Sequence, residues 1–281
     1  MYDYGRLITD YTYFWEVSMK ATILSILSII LVVILVIGNI HWNIRSESPL
    51  STIHPTEGAN TEVENKEQYF SLDYYMSFAK SWPDGAQQVL EEKLTDKQSF
   101  HILLVGSDAI GDQELGLVTP LQEALASKYD KYVTVESITY DETSSDYVND
   151  NEYESLIAKK PDMVILEPFL LNDNGVVDIS TTLMNLNQVM KETKDELPNV
   201  TFIMMPAHQL YNAALYPMQV RDLQKYAESK DIPYWNHWEA WPDSKDPKVQ
   251  DYYNTEGDKS KANEQGFELW SNYLAKKLIS D

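Results

Sequence analysis

The feature that most constrains this fold is an alternation of short apolar runs with stretches of helical spacing. The runs are His101–Gly106, Tyr132–Ile138, Met163–Glu167, Val200–Pro206 and Ile232–Trp235. Each has the length of a strand, and a nearly continuous apolar run marks a strand covered on both faces. Between them, Thr119 can cap a helix, with Pro120 at its first position and Gln122 reaching back. Ser180 can cap another that carries Leu183, Leu186 and Met190, and Pro217 opens a third with Val220, Leu223 and Tyr226. A last helix starts near Asn263 and aligns Phe267, Trp270, Leu274 and Leu278. This order predicts a three-layer α/β/α sandwich around a five-stranded parallel sheet.

In such sheets, ligands bind beyond the carboxyl ends of the strands. That rule selects Ser107 and Asp108 after the first run, and Asn172 and Asp173 after the third. It also selects His208 after the fourth and His237 after the fifth, whereas His101 opens its strand and belongs at the opposite end.

The amino-terminal part reads differently. From Lys20 to Arg45 no charged residue intervenes, and the stretch "ATILSILSIILVVILVIGNI" is long enough to span a bilayer core. The following "GNIHWNIRSES" offers no small-x-small exit, so an uncleaved anchor is expected rather than a signal peptide. The chain therefore divides into a short tail (1–20), a transmembrane helix (21–40), a polar linker (41–69) and one domain (70–281). Arg6 and Lys20 before the span and Arg45 after it give only a weak orientation signal. The expectation is a single-pass protein of the cell membrane with its large domain outside the cytoplasm.

Charge narrows the function classes. With 22 Lys+Arg against 44 Asp+Glu, the net charge is −22, which repels phosphate backbones and argues against nucleic-acid partners. There are no cysteines, so thiol catalysis and cysteine-based zinc sites are excluded. Five scattered histidines suggest no metal cluster, and no motif implies a cofactor or singles out a protein partner.

Three segments then line up in order: "LLVGSDAIG" after the first run, "PDMVILEPFLLNDNG" across the third, and "GDKSKANEQGFELW" before the last helix. Together they resemble the SGNH/GDSL hydrolase family, over about residues 98–281. The resemblance implies a flavodoxin-like α/β/α fold and ester hydrolysis by a serine. In that family the first block reads Gly-Asp-Ser, but here Gly106-Ser107-Asp108 has the last two residues exchanged. Asn172 fits the family's oxyanion-hole asparagine. In the last block, Asp258, Asn263 and Gly266 fit, while Lys261 stands in the place of the histidine and Ala262 in that of a proline. After the second run "VESITYDETSS" lacks the glycine whose amide the family uses.

These departures bear on chemistry. A serine hydroxyl needs a base to take its proton as it attacks, and an ordinary lysine is already protonated at neutral pH. Asp108 attacking an ester would give an anhydride. The resemblance therefore implies a degenerate site in which Asp108 and Lys261 form an ion pair or water-bridged contact, with Asn172 nearby. The alternative is an active esterase, deacetylase or acetyl-transferring protein that uses Ser107 with His208 or His237 as base.

The aromatic residues Trp235, Trp238, Trp241 and Tyr211 cluster in sequence near the expected site. Exposed rings there would stack on sugar faces, so a cell-surface glycan, contacted also by Asp173, is the expected ligand. Core packing is the competing explanation for the same rings.

Overall fold

A computed structural model describes residues 71–256 and 259–280, with Glu256 and Lys259 described by their backbone alone. The expected tail, anchor and linker all lie outside these residues. Among the described residues, no helix is long and apolar enough to cross a membrane.

Four parallel strands form the sheet: β1 (Phe100–Gly106), β2 (Val133–Thr139), β3 (Met163–Leu166) and β4 (Thr201–Met204), in the order β2-β1-β3-β4. The expected fifth strand reduces to one parallel bridge between Met204 and Tyr234. Pro233 can accept from the Met204 amide there but has no N–H to extend the ladder, and the chain turns away at Asn236.

Why the runs are continuous rather than alternating is plain from their two faces. Ile102 and Leu104 of β1 point into one apolar layer, while Leu103 and Val105 point into the other. The first layer is completed by α1 (Leu72–Phe78), α2 (Asp84–Thr95), α3 (Val118–Tyr129) and, at the end of the chain, α9 (Glu264–Leu278). The second is built by α4 (Ser144–Asn149), α5 (Tyr153–Lys159), α7 (Ile179–Glu196) and α8 (Tyr216–Ser229). A four-residue helical turn, α6 (Leu170–Asp173), follows β3.

Helix starts differ in detail from the sequence expectation. Leu117 precedes α3, and Thr119 Oγ1 instead donates to the Gln113 carbonyl, while the Gln122 amide oxygen accepts from the Val135 N–H. Asp178, not Ser180, caps α7 by accepting from the Thr181 N–H. Asn263 does cap α9, accepting from the Gly266 N–H at 3.1 Å.

Before α9 the chain forms an antiparallel hairpin, β5 (Tyr253–Glu256) and β6 (Lys259–Ala262), pairing Asn254 with Lys261 and Thr255 with Ser260. This hairpin lies against the short 3-10 turn Asp108–Ile110 that follows β1. Gly266 lets the hairpin approach α9 closely. A Cβ at that position would sit 2.1 Å from the Tyr252 carbonyl oxygen.

Candidate functional site

The sheet order reverses between β2 and β3 on either side of β1, so the loops after β1 and β3 open a crevice at the carboxyl edge. Ser107 begins the first loop, and its side chain is fully buried. Its amide and hydroxyl both donate to Glu167 Oε2, at 2.7 and 2.6 Å. Glu167, also fully buried, follows β3 directly, and its carboxyl packs on Gly106, where a Cβ would lie 2.7 Å from Glu167 Cβ. Burial pushes the Glu167 carboxyl up to about 7, against the opposing pull of the two Ser107 hydrogen bonds. The order of Ser107 and Asp108 along this turn has a structural consequence. The hydroxyl is turned under the site, and the carboxylate is presented to it.

Asp108 meets the hairpin. Lys261 Nζ stands 2.8 Å from Asp108 Oδ2, with Asp108 largely buried and the lysine half exposed. Two cavities flank this pair. One, of about 520 Å³, is lined by Asp108, Asp112, Asp141, Asn254 and Lys261 with Leu115 and Phe267. The other, of about 710 Å³, is lined by Asp108, Asp141, Asn172 and Ser260 with Leu171, Val176 and Leu210. Both volumes lie in the range of small-ligand sites. Asn172 therefore shares a cavity with Asp108, and its Nδ2 donates to the Glu142 carbonyl at 3.0 Å.

The two histidines follow β4 and the Tyr234 bridge, and so lie at the carboxyl edge, with His101 near the amino end of β1. Neither is bonded to Ser107. His237 Nε2 donates to the Pro206 carbonyl at 2.9 Å, and its Nδ1 accepts from Trp241 Nε1–H at 3.0 Å. Its ring stacks on Trp270 with centroids 4.0 Å apart. Both nitrogens are occupied, and burial lowers its pKa to about 3. His208 Nε2 lies 2.9 Å from Ser260 Oγ, and burial lowers its pKa to about 3 as well.

Other candidates are distributed differently. Asp173 is fully buried and accepts from the Ser144 N–H and hydroxyl and from Thr182 Oγ1, which ties α4, α6 and α7 together. Trp235 and Trp241 are buried in the core, and Trp238 is half-buried, donating to the Ala207 carbonyl. Core packing accounts for these rings, whereas Tyr211 is 37 % exposed. Asp258 lies outside the described residues.

Two hydrogen-bond partners of these candidates were missed by sequence reasoning. Glu167 looks like the polar exit of an apolar strand, yet a lone acid between Leu166 and Pro168 was the available signal. Ser260 sits in a run with no motif, although Gly257–Asp258 between two short polar runs is a hairpin cue.

Solved structures share this fold. A putative GDSL-like lipase from Parabacteroides merdae superposes with a TM-score of 0.54 at 14 % identity, covering 64 % of this chain and 95 % of that one. The acetyl xylan esterase AlAXEase gives 0.51 at 15 % identity, covering 62 % and 98 %. The lipase/acylhydrolase from Enterococcus faecalis gives 0.50 at 18 % identity, covering 63 % and 94 %. No protein-family model matches the chain, and comparison with curated proteins gives no match. The chain has the SGNH/GDSL hydrolase fold.

Proposed function

We propose that this chain is a membrane-tethered SGNH-fold protein that binds acylated carbohydrate outside the cytoplasm and does not cleave it by a serine mechanism. The observation that carries this reading is the 2.8 Å contact between Lys261 and Asp108, two residues that the sequence resemblance aligns with the family's histidine and serine. A charged lysine cannot take a proton, and a paired carboxylate has no hydroxyl to acylate. Ser107 is held by Glu167 beneath the turn. The shape of the cleft is kept while its attacking group is gone.

Support for a sugar ligand comes from the larger cavity. Carboxylates, the Asn172 amide and the Ser260 hydroxyl can meet sugar hydroxyls, and Leu171, Val176 and Leu210 offer an apolar wall for C–H faces. A protein of the same fold is an acetyl xylan esterase. The apolar run at 21–40 supports a tether, and the charge of −22 disfavours nucleic acid.

The test is to assay the full-length chain on p-nitrophenyl acetate and on acetylated xylan, and to measure its co-sedimentation with the polysaccharide. Retention without turnover above buffer is expected. Turnover that disappears in Ser107→Ala would overturn the reading.

A further inference from the structure

His208 is fully buried, its ring centroid 5.6 Å from that of Tyr253 and 6.2 Å from that of Trp241. Nε2 lies 2.9 Å from Ser260 Oγ, and Nδ1 is buried without a hydrogen-bond partner. A neutral imidazole carries one proton, which leaves two arrangements. With the proton on Nδ1, Ser260 spends its only proton on Nε2, and a buried N–H is orphaned. With the proton on Nε2, His208 donates to Ser260 Oγ, and the serine proton is free to point elsewhere. Only a lone pair is then left bare at Nδ1. Each arrangement makes one hydrogen bond between the two side chains, but the second leaves the serine proton available for a further one. The second also avoids an orphaned buried donor, the rarer defect in native structures.

We propose that His208 donates Nε2–H to Ser260 Oγ and so turns the Ser260 proton into the 710 Å³ cavity, where Ser260 reads an uncharged oxygen acceptor on the ligand. This rests on the reading of that cavity as a carbohydrate site. Among its lining residues are Asp108, Asp141, Glu142 and Asp146, and no Lys or Arg. An anionic acceptor would meet like charge there. A sugar hydroxyl, a ring oxygen or an ester carbonyl would not. Asn172 Nδ2 gives one proton to the Glu142 carbonyl, and Ser260 is the lining hydroxyl that a buried imidazole orients. The same arrangement removes His208 from any role as a base toward Ser260, because its lone pair faces away.

The experiment uses the full-length chain, labelled with ¹⁵N-histidine in detergent micelles. Ring correlation spectra near pH 7.5, assigned by loss of the signal in His208→Gln, should show a protonated Nε2 and a bare Nδ1. The opposite tautomer would overturn the proposal. Affinity for acetylated xylo-oligosaccharides is then measured by calorimetry. Ser260→Ala should weaken binding about fivefold, the worth of one neutral hydrogen bond, and Ser260→Thr should restore it. Binding that Ser260→Ala leaves unchanged would overturn the proposal alone. No binding by the wild-type chain would instead sink the carbohydrate reading, and with it the ligand half of this proposal.

Discussion

Ser107 gives both its amide proton and its hydroxyl proton to one oxygen of Glu167, at 2.7 and 2.6 Å, beneath the turn that presents Asp108. The pair fixes the turn from below, and it makes folding depend on pH. Burial holds the Glu167 carboxyl at about 7 in the folded chain, against about 4.5 when exposed. Between those values the folded state keeps a proton that the unfolded state has lost. Glu167 therefore costs stability as pH rises from about 4.5 to 7, by roughly 3 kcal/mol in full. His208 and His237 act with the opposite sign. Each stays neutral down to about 3, so their stabilising contribution is complete above about 6.5 and is lost as pH falls toward 3.

Glu167→Gln separates these effects. The amide oxygen can still accept from Ser107, but the alkaline cost vanishes. The stability of the variant relative to wild type should rise between pH 5 and pH 8, measured by urea midpoints across that interval. A constant offset between the two proteins would contradict the assignment.

The Asp108–Lys261 pair should contribute little to stability. The lysine is half exposed, which places the pair near the surface regime of about 0.2–1 kcal/mol rather than that of a fully buried bridge. Lys261→Met should lower the melting temperature by about 4 °C at most. Raising salt from 0.05 to about 0.5 M should shrink the difference between the two proteins.

His237 behaves as a core residue. Ala at that position removes two hydrogen bonds and the stack on Trp270, and it opens a cavity in the packed layer. A loss of about 3 kcal/mol follows by analogy with aromatic-to-alanine changes. Thermal unfolding of His237→Ala measures it, and a loss below about 1 kcal/mol would argue that the ring is not part of the packing.

Gly106→Ala should be nearly as damaging, because the added methyl carbon would lie 2.7 Å from Glu167 Cβ. Overpacking of this kind costs about 1–3 kcal/mol. The shift of Ser107 against Glu167 can be followed in the pH profile described above.

Much of this was legible from residues alone. β1, β3 and β4 follow from apolar runs because burial on both faces leaves no polar alternation to confuse the pattern, whereas β2 at the sheet edge alternates, with Val133 and Val135 buried and Glu136 exposed. The Asp108–Lys261 contact follows from counting along two motifs, since the fold fixes which loops meet. The fifth strand failed at Pro233, where a backbone donor is missing and periodicity gives no warning. Ser180 lost its cap to Asp178 because the two compete within one turn, and Asp178 reaches the Thr181 amide. Glu167 was illegible as a partner of Ser107 because the pairing joins neighbouring parallel strands 60 residues apart in sequence.

The central claim is that the cleft holds no activated serine, and covalent labelling of the full-length chain with a fluorophosphonate tests it most directly. Peptide mass mapping after reaction should find Ser107 unmodified, because the hydroxyl is buried and committed to Glu167. Stoichiometric phosphonylation of Ser107, abolished by heat denaturation before labelling, would contradict the account.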